Sequence, residues 1–339
     1  MALVPSLPLP QSRPWAAPPS VELPERSREA WTRAAGALVF PDYRDLEAWT
    51  AFRDASVDLA QRHLPAALAE ALHQFFAPAG PPALILENLP VDPELPPIPS
   101  DGMRPSAKQA ISEAVICGLT GLHGEILSYL NEKSGAPIQE VVPISGMERI
   151  QSNAGRVRFG FHSDNAFLPR RFRHKGILLY GLRNQDAATL VLTADQIMDG
   201  APAGLAAALA KPMFRHACPA SFSGIQAVSA PCSILWRDEL GLARVSAASS
   251  SIEPLTPEAE AALNAFRTLV MAAEPARIVV RPGTALLFKD DRVLHGRDSF
   301  TGSRWLQRAY FTDSLDPLRT ATRSHPEAFA FDAGALLCA

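Results

Sequence analysis

The chain of 339 residues has few cysteines, and those it has follow no pattern typical of a metal-binding or disulfide-rich protein. Four cysteines are present and none belongs to a CxxC pair, which argues against a zinc ribbon or a dense disulfide framework. A disulfide between Cys218 and Cys232 is conceivable, but a chain of this length does not need one for stability. The sequence therefore favours reduced thiols in a cytoplasmic protein.

A strong charge of one sign is also missing. The formal net charge is −3, the pI is near 6.3, and only five lysines occur. Charged residues make up 20% of the chain and hydrophobic residues 47%, which is typical of a globular protein. This balance gives no electrostatic reason to expect nucleic acid or an anionic membrane as a partner.

Long apolar runs are absent, so the sequence predicts no membrane-spanning helix. The N-terminus has no basic segment, and prolines interrupt its apolar residues, so we predict no signal peptide. Residues 1–27 are rich in proline and are predicted to form an irregular, possibly disordered arm. We expect residues 28–339 to form a single domain.

The order of the predicted elements indicates an α+β protein. Residues 45–76 have helical periodicity with a break at Pro65, and residues 106–132 form a second helical region. Short β-type segments dominate from residue 156 onward, apart from a helix over residues 257–273 that Thr256 caps. Residues 219–251 show little periodicity and are predicted to be a lid-like insertion. Helices early and strands late favour a double-sheet β-core braced by helices.

A candidate metal site begins with His162 and Asp164, which are separated by one residue in the segment FHSDNAF. His295 follows 133 positions after His162 (295 − 162) in the segment VLHGRD. Side chains two positions apart on a strand point the same way, so one strand end can offer both ligands. Two imidazoles and one carboxylate on one face of a metal are typical of non-haem Fe(II) oxygenases, which keep the other positions open.

Two arginines follow the last histidine in the segment RWLQR. Arg304 lies nine positions after His295 (304 − 295), and Arg308 lies four positions further on. On a strand the two side chains would share one face. A planar guanidinium group binds a carboxylate bidentately, so the pair predicts a site for two acidic groups side by side.

These motifs resemble those of the clavaminate synthase-like Fe(II)/2-oxoglutarate-dependent oxygenases, within the taurine dioxygenase superfamily. The resemblance covers residues 83–311 and includes the segments LPVDPELPPIPSD and GAPIQEVVPISG. It implies a double-stranded β-helix, which is a jelly-roll fold, with Fe(II) as cofactor and 2-oxoglutarate and O₂ as co-substrates. His162, Asp164 and His295 would be the metal ligands. Asp164 departs from the glutamate that is more usual in the group, although aspartate is common in the wider superfamily.

The resemblance also implies roles for residues around the metal. Arg304 and the Thr189 hydroxyl match the groups that hold the distal carboxylate of 2-oxoglutarate, and Arg308 matches a position that binds an acidic group of the substrate. Asn165 is expected either to contact substrate, to orient a ligand, or to form a turn. Asp238 lies where the group often has acidic lid residues, although an exposed turn explains it equally well.

The expected reaction is hydroxylation of an unactivated C–H bond in a free L-amino acid or a close derivative, with natural-product or antibiotic biosynthesis as the expected setting. Desaturation or cyclisation of such a substrate, or of a carrier-bound one, is the alternative within the same chemistry. A jelly-roll binding protein that retains the metal ligands as relics is the alternative without catalysis. A closed zinc module would need a fourth ligand, and no cysteine is suitably placed for that role.

Overall fold

The computed structural model describes residues 17–248 and 251–339, which form a mixed α+β structure with two principal sheets. The helices are α1 (Glu25–Ala35), α2 (Leu46–His63), α3 (Ala66–Phe76), α4 (Ile111–Gly121), α5 (Ala194–Gly200), α6 (Ala203–Leu209), α7 (Pro257–Ala272), α8 (Asp316–Thr322) and α9 (Ala333–Cys338). The strands are β1 (Ser20–Glu22), β2 (Ala83–Glu87), β3 (Glu125–Tyr129), β4 (Gln139–Val141), β5 (Phe159–His162), β6 (Gly176–Asn184), β7 (Ala188–Thr193), β8 (Phe214–His216), β9 (Leu235–Arg237), β10 (Ala243–Val245), β11 (Ile252–Pro254), β12 (Ala276–Val279), β13 (Ala285–Lys289), β14 (Val293–Arg297), β15 (Arg304–Thr312) and β16 (Ala330–Phe331).

The larger sheet has the strand order β1-β2-β13-β6-β15-β3-β16, and β4 pairs with β15 beside that path. The smaller sheet has the order β12-β7-β14-β5. Their pairs are antiparallel except at the edges, where β1 lies parallel to β2 and β16 lies parallel to β3. The turn between β13 and β14 carries the chain directly from the larger sheet to the smaller one.

Alternating side chains of the smaller sheet enter two different hydrophobic cores. Val191 and Val293 pack in one core with Leu179 and Leu286 of the larger sheet. Leu192, one position further along β7, belongs to a second core with residues of α6 and α7. The smaller sheet is therefore covered on one face by the larger sheet and on the other by helices, as the alternation of a strand allows.

Local sequence signals explain the ends of several helices. Asp45 caps α2 by accepting hydrogen bonds from the backbone N–H groups of Glu47 and Ala48, both at 3.1 Å. Pro65 lies between α2 and α3, which confirms the predicted break. Thr256 caps α7 through a 3.1 Å hydrogen bond from the Ala259 N–H group, also as predicted.

The prediction of an irregular arm is wrong for the part of it that the structure describes. Residues 1–16 lie outside the described residues, but β1 and the first residues of α1 fall within residues 17–27. Ser20 to Glu22 pair with Ile85 to Glu87 at the edge of the larger sheet, and Leu23 is fully buried. Proline is tolerated on an edge strand because its missing N–H faces away from the partner, so a proline-rich sequence did not exclude this pairing.

The second helical region is shorter than the predicted span of residues 106–132. Helix α4 ends at Gly121, and strand β3 begins at Glu125. The backbone at Gly124 passes so close to β15 that a Cβ atom there would lie 2.6 Å from the carbonyl oxygen of Thr312. This close approach brings the residues after Gly124 into the larger sheet, where they form strand β3.

The insertion at residues 219–251 has more regular structure than its sequence predicts, because strands β9 and β10 pair as an antiparallel hairpin within it. Residues 249 and 250 lie outside the described part. All four cysteines are free thiols in this structure. Among the described residues, no helix is both long enough and apolar enough to cross a bilayer.

Candidate metal centre

The two histidines of the candidate site lie on neighbouring strands of the smaller sheet. His162 ends β5 and faces His295 of β14 directly across the antiparallel pair, with ring centroids 4.2 Å apart. Asp164 follows two positions after His162, beyond the end of the strand. Potential ligand atoms of the three side chains all lie within 4.8 Å of one another. The structure therefore brings together the three residues that the sequence singles out.

The side chains of His162 and Asp164 have partners that leave one donor atom of each directed at the other ligands. His162 Nδ1 lies 2.9 Å from the carbonyl oxygen of Gly160, so its Nε2 lone pair is free. Asp164 Oδ2 accepts hydrogen bonds from Arg308 Nη1 at 2.7 Å and from the Tyr310 hydroxyl at 2.9 Å. Asp164 Oδ1 is left 3.3 Å from His162 Nε2 and 3.8 Å from His295 Nε2.

The electrostatics keep Asp164 and His295 in the forms that bind a metal. Burial lowers the pKa of His162, but the hydrogen bond and charge of Asp164 outweigh it and raise that pKa above its usual value. Burial alone would raise the pKa of Asp164, but Arg308 and the two histidines hold it well below its usual range. Burial, together with the neighbouring His162, holds the pKa of His295 well below its usual range. A carboxylate and a neutral imidazole are the ligand forms that a divalent metal requires.

This donor set fits Fe(II) better than a structural zinc ion. Two imidazole nitrogens and one carboxylate oxygen converge from one side, which is the facial arrangement of non-haem iron oxygenases. Within the described ranges no other group of three or more His, Cys, Asp or Glu side chains could hold a metal ion, and no cysteine belongs to this one. A structural zinc site would require four protein ligands.

Arg304 is buried in the larger sheet without a counter-charge. Its Nε and Nη1 atoms form no hydrogen bond with any described residue. Its neighbours are the Phe300 ring, whose centroid is 5.9 Å from Cζ, and a second cation, Arg297. Burial and Arg297 lower the pKa of Arg304 to about 9. A buried cation of this kind is costly without a partner, so its surroundings fit an acidic ligand such as a carboxylate.

Thr189 lies near the same position on the smaller sheet. It is buried in β7 and is the direct strand partner of Arg297 in β14. Arg304 and Arg308 share the inner face of β15, because Arg304 lies beside Arg297 and Arg308 reaches Asp164. Trp305 points the other way, to the Glu140 carboxylate.

Arg308 is more fully engaged than an isolated substrate-binding residue would be. Besides Asp164, it donates to Glu132 Oε1 at 2.8 Å and to Gln139 Oε1. Its Nε atom has no hydrogen-bond partner in the described part of the chain. Sequence reasoning missed Glu132 and Gln139, although Gln139 belongs to the segment GAPIQEVVPISG that carries part of the resemblance.

Asn165 and Asp238 have partners within the protein that fit the turn alternative, and a contact of either with substrate stays a prediction. Asn165 is buried, its φ of 54° is left-handed, and its amide nitrogen lies 3.4 Å from His174 Nδ1, which points to a turn and a supporting role. Asp238 Oδ1 accepts the N–H groups of Leu240 and Leu242, both at 2.9 Å, and Oδ2 pairs with an arginine of β10. This carboxylate therefore organises the β9–β10 hairpin, as the turn alternative predicts.

His174 also lies beside the metal ligands. It is buried, its ring stacks on Tyr310 with centroids 4.2 Å apart, and its Nε2 lies 3.2 Å from Asp290 Oδ2. No sequence signal links this histidine to the metal motif, because its approach depends on how the segment after Asp164 folds back.

Comparisons with known proteins agree with this geometry. No protein-family model matches the chain. L-asparagine oxygenase of Streptomyces coelicolor is 33% identical over 312 residues, covering 84% of this chain and 86% of that protein. A crystal structure of asparagine oxygenase with Fe(II), 2S,3S-3-hydroxyasparagine and succinate superposes with a TM-score of 0.81 at 26% identity, covering 92% of this chain and 99% of the other.

A second relative is similar in fold. The non-haem iron oxygenase OrfP, crystallised with Fe and L-Arg, superposes with a TM-score of 0.75 at 21% identity, covering 92% of this chain and 99% of that one. The identity and coverage of the asparagine oxygenase match are high enough to assign the family. The chain belongs to the clavaminate synthase-like Fe(II)/2-oxoglutarate-dependent oxygenases of the taurine dioxygenase superfamily.

Proposed function

We propose that the protein hydroxylates an unactivated C–H bond of a free L-amino acid or a close derivative, with Fe(II) bound by His162, Asp164 and His295. The observation that carries the proposal is the convergence of two imidazoles and one carboxylate from a single side, with no fourth protein ligand among the described residues. That arrangement leaves metal positions for 2-oxoglutarate and O₂. When bound, iron and 2-oxoglutarate activate O₂ and insert one oxygen atom into the substrate, with succinate and CO₂ as co-products.

Arg304 is proposed to bind the distal carboxylate of 2-oxoglutarate, with Thr189 as an additional donor. The Nε and Nη1 atoms of Arg304 have no hydrogen-bond partner among the described residues, so N–H groups of this guanidinium are free to donate to carboxylate oxygens. Arg297 adds a second positive charge nearby. Burial strengthens both attractions, because water does not screen them there.

The cluster of Arg308, Glu132 and Gln139 is proposed to recognise the backbone of an amino acid. The unpartnered Nε of Arg308 offers a donor to a carboxylate, and the Glu132 carboxylate beside it complements an ammonium group. Placing opposite charges side by side suits a zwitterion. The asparagine and arginine derivatives that are bound to the relatives are molecules of this class.

The finer features of the fold belong to the same proposal. Two facing sheets joined at the β13–β14 turn support a double-stranded β-helix in one domain, which extends beyond the expected residues 28–339 to include β1. The insertion at residues 219–251 is proposed to cover substrate, since Ala248 forms an isolated β-bridge with His162 at the metal site. Four free thiols support a cytoplasmic location.

The test is succinate formation from 2-oxoglutarate with Fe(II), ascorbate and air, with and without single L-amino acids. We expect one amino acid to stimulate turnover and to gain sixteen mass units, and we expect His162→Ala to abolish both effects. A product two mass units lighter would instead assign desaturation or cyclisation. Absence of Fe(II) and 2-oxoglutarate binding in the unmodified protein would contradict the proposal and favour a relic binding protein.

A further inference from the structure

Asp290 lies in the turn between β13 and β14, where the chain passes from the larger sheet to the smaller one. Its backbone N–H donates to the carbonyl oxygen of Lys175 at 3.0 Å, and the Arg292 N–H closes the turn on Lys289 at 2.9 Å. The side chain is only 7% exposed. A carboxylate buried at this point needs partners, since an unpaired buried charge is costly.

The two oxygens of Asp290 face two different metal ligands. Oδ2 accepts a hydrogen bond from the backbone N–H of Asp164 at 3.0 Å. Oδ1 lies 3.5 Å from His295 Nδ1. Neither Oδ1 nor His295 Nδ1 has a hydrogen-bond partner elsewhere in the described chain. A proton on His295 Nδ1 would give both atoms a partner and would leave the Nε2 lone pair for the metal.

His174 completes a closed ring of contacts around Asp164. It approaches Asp290 Oδ2 with its Nε2 atom at 3.2 Å and stacks on the ring of Tyr310 at an interplanar angle of 24°. The Tyr310 hydroxyl then donates to Asp164 Oδ2 at 2.9 Å. The ring therefore fixes both the backbone and the carboxylate of Asp164.

We infer that Asp290 is a positioning residue that orients two of the three metal ligands at once, by setting the tautomer of His295 and by holding the backbone of Asp164. This inference rests on the proposed function, since it assumes that the triad binds Fe(II). Asp290 touches neither substrate nor co-substrate in this role. Asp290 would affect the reaction by orienting the metal ligands, as residues that contact metal ligands generally do.

A merely structural role for Asp290 would give a different result. The turn is already held by backbone hydrogen bonds to Lys175 and Lys289, which an asparagine at position 290 would retain. Asn has nearly the shape of Asp but lacks its charge and has one carbonyl oxygen in place of two, so Asp290→Asn cannot accept from both the Asp164 N–H and His295 Nδ1, with little change in packing. A structural role predicts a lower melting temperature, whereas a positioning role predicts weaker metal binding by a folded protein.

The experiment titrates Fe(II) anaerobically into the unmodified protein, Asp290→Asn and the matched control Asp291→Asn, after melting each protein without metal. Asp291 is the adjacent carboxylate, is 42% exposed, and pairs with Arg244 rather than with a ligand. We expect Asp290→Asn to bind Fe(II) roughly 10- to 100-fold more weakly. We also expect it to form more succinate per hydroxylated product, whereas Asp291→Asn should match the unmodified protein.

The outcomes separate this inference from the proposed function. Failure of the unmodified protein to bind Fe(II) would overturn both. Normal Fe(II) binding by the unmodified protein together with equal affinity in folded Asp290→Asn would overturn the positioning role alone. If Asp290→Asn does not fold, Asp290→Ser replaces it, since Ser fits the same space and its single short hydroxyl removes the carboxylate that faces both ligands. Unchanged Fe(II) affinity in that variant would equally overturn the inference.

Discussion

At the scale of single residues, two arginines on one face of β15 differ in whether a carboxylate of the protein pairs with them. Arg308 pairs with two carboxylates, Glu132 and Asp164, whereas no described carboxylate pairs with Arg304, which lies near the Phe300 ring and a second cation. A buried cation without a counter-charge costs stability in the ligand-free protein, and the proposed binding of 2-oxoglutarate would supply that counter-charge.

Arg304→Met should weaken 2-oxoglutarate binding by roughly 10- to 100-fold, because hydrogen bonds to a charged group contribute about 1.5–3 kcal/mol. The same substitution should leave the melting temperature of the ligand-free protein unchanged or raise it, since an unpaired buried charge is removed. Calorimetric titration and thermal melts check the two effects. Arg277→Met is the control, since Arg277 is 62% exposed and pairs with Asp298. A lower melting temperature with normal 2-oxoglutarate affinity would contradict the assignment.

The sequence predicts the residues of the site better than the contacts between them. His162, Asp164 and His295 are recognisable because their spacing reflects strand geometry and metal chemistry. Asp290 and Glu132 were not predicted, because nothing in their local sequence indicates that a turn and a distant strand end converge on the triad. Contacts of this kind depend on the packing of two sheets.

At the scale of elements, strand β15 separates the active site from a buried ionic cluster. Its outer face carries Gln307, whose amide nitrogen donates to Glu113 and to Glu140, both at 2.9 Å. Lys108, also fully buried, pairs with Glu113 at 2.7 Å and with Asp92 at 3.0 Å. This cluster joins α4 and the preceding loop to β4 and β15.

The cluster makes stability depend on pH through Glu140. Burial and the nearby Glu113 raise the pKa of Glu140 from 4.5 to about 7 in the folded protein. The folded state therefore binds this proton more tightly than the unfolded state does. The resulting stabilisation is full below pH 4.5 and is lost as the pH rises to about 7, at about 1.4 kcal/mol per unit of pKa difference.

Glu140→Gln removes this titration, so its melting temperature relative to the unmodified protein should rise as the pH increases from 4.5 to 7 and then level off. Thermal melts at several pH values measure the difference. Glu29→Gln on the exposed surface of α1 is the matched control. A constant offset between Glu140→Gln and the unmodified protein over this pH range would show that Glu140 does not titrate as argued.

Most elements follow from periodicity and capping, and the failures have identifiable causes. The patterns predict helices α2, α3 and α7 and the strands β5–β7 and β12–β15, but not the β9–β10 hairpin of the insertion. Strand β3 was assigned to a helix because five residues of alternation are easily masked by the helical pattern before them. Strand β1 was missed because its residues gain order only from pairing with β2.

At the scale of the whole molecule, the metal site lies where the two sheets meet. His162 and His295 belong to the smaller sheet, while Arg304 and Arg308 belong to the larger one. The 2.7 Å hydrogen bond from Arg308 to Asp164 links the larger sheet to the segment that follows β5 of the smaller sheet. The site therefore keeps its shape only if the larger sheet is intact. Strand β1 forms one edge of that sheet.

Deletion of residues 1–24 should lower the melting temperature, because it removes β1 and empties the space of the fully buried Leu23. Loss of a buried leucine side chain alone costs about 2–5 kcal/mol. Deletion of residues 1–16, which removes no described contact, is the control and should melt like the full chain. Equal melting of both deletions would show that β1 contributes nothing to the stability of the sheet.

The insertion at residues 219–251 is attached to the metal site through contacts that constrain few of its side chains. Ser163 N–H donates to the Ala247 carbonyl oxygen at 2.7 Å, and the Ala247 N–H donates to Ser163 Oγ at 2.8 Å. On the Ala247 side these bonds use only the backbone, so they do not depend on a particular side chain. The groups that orient the ligands come from other parts of the chain. If the insertion covers substrate as proposed, substitutions among its solvent-facing side chains would change substrate choice and leave the oxidative chemistry intact.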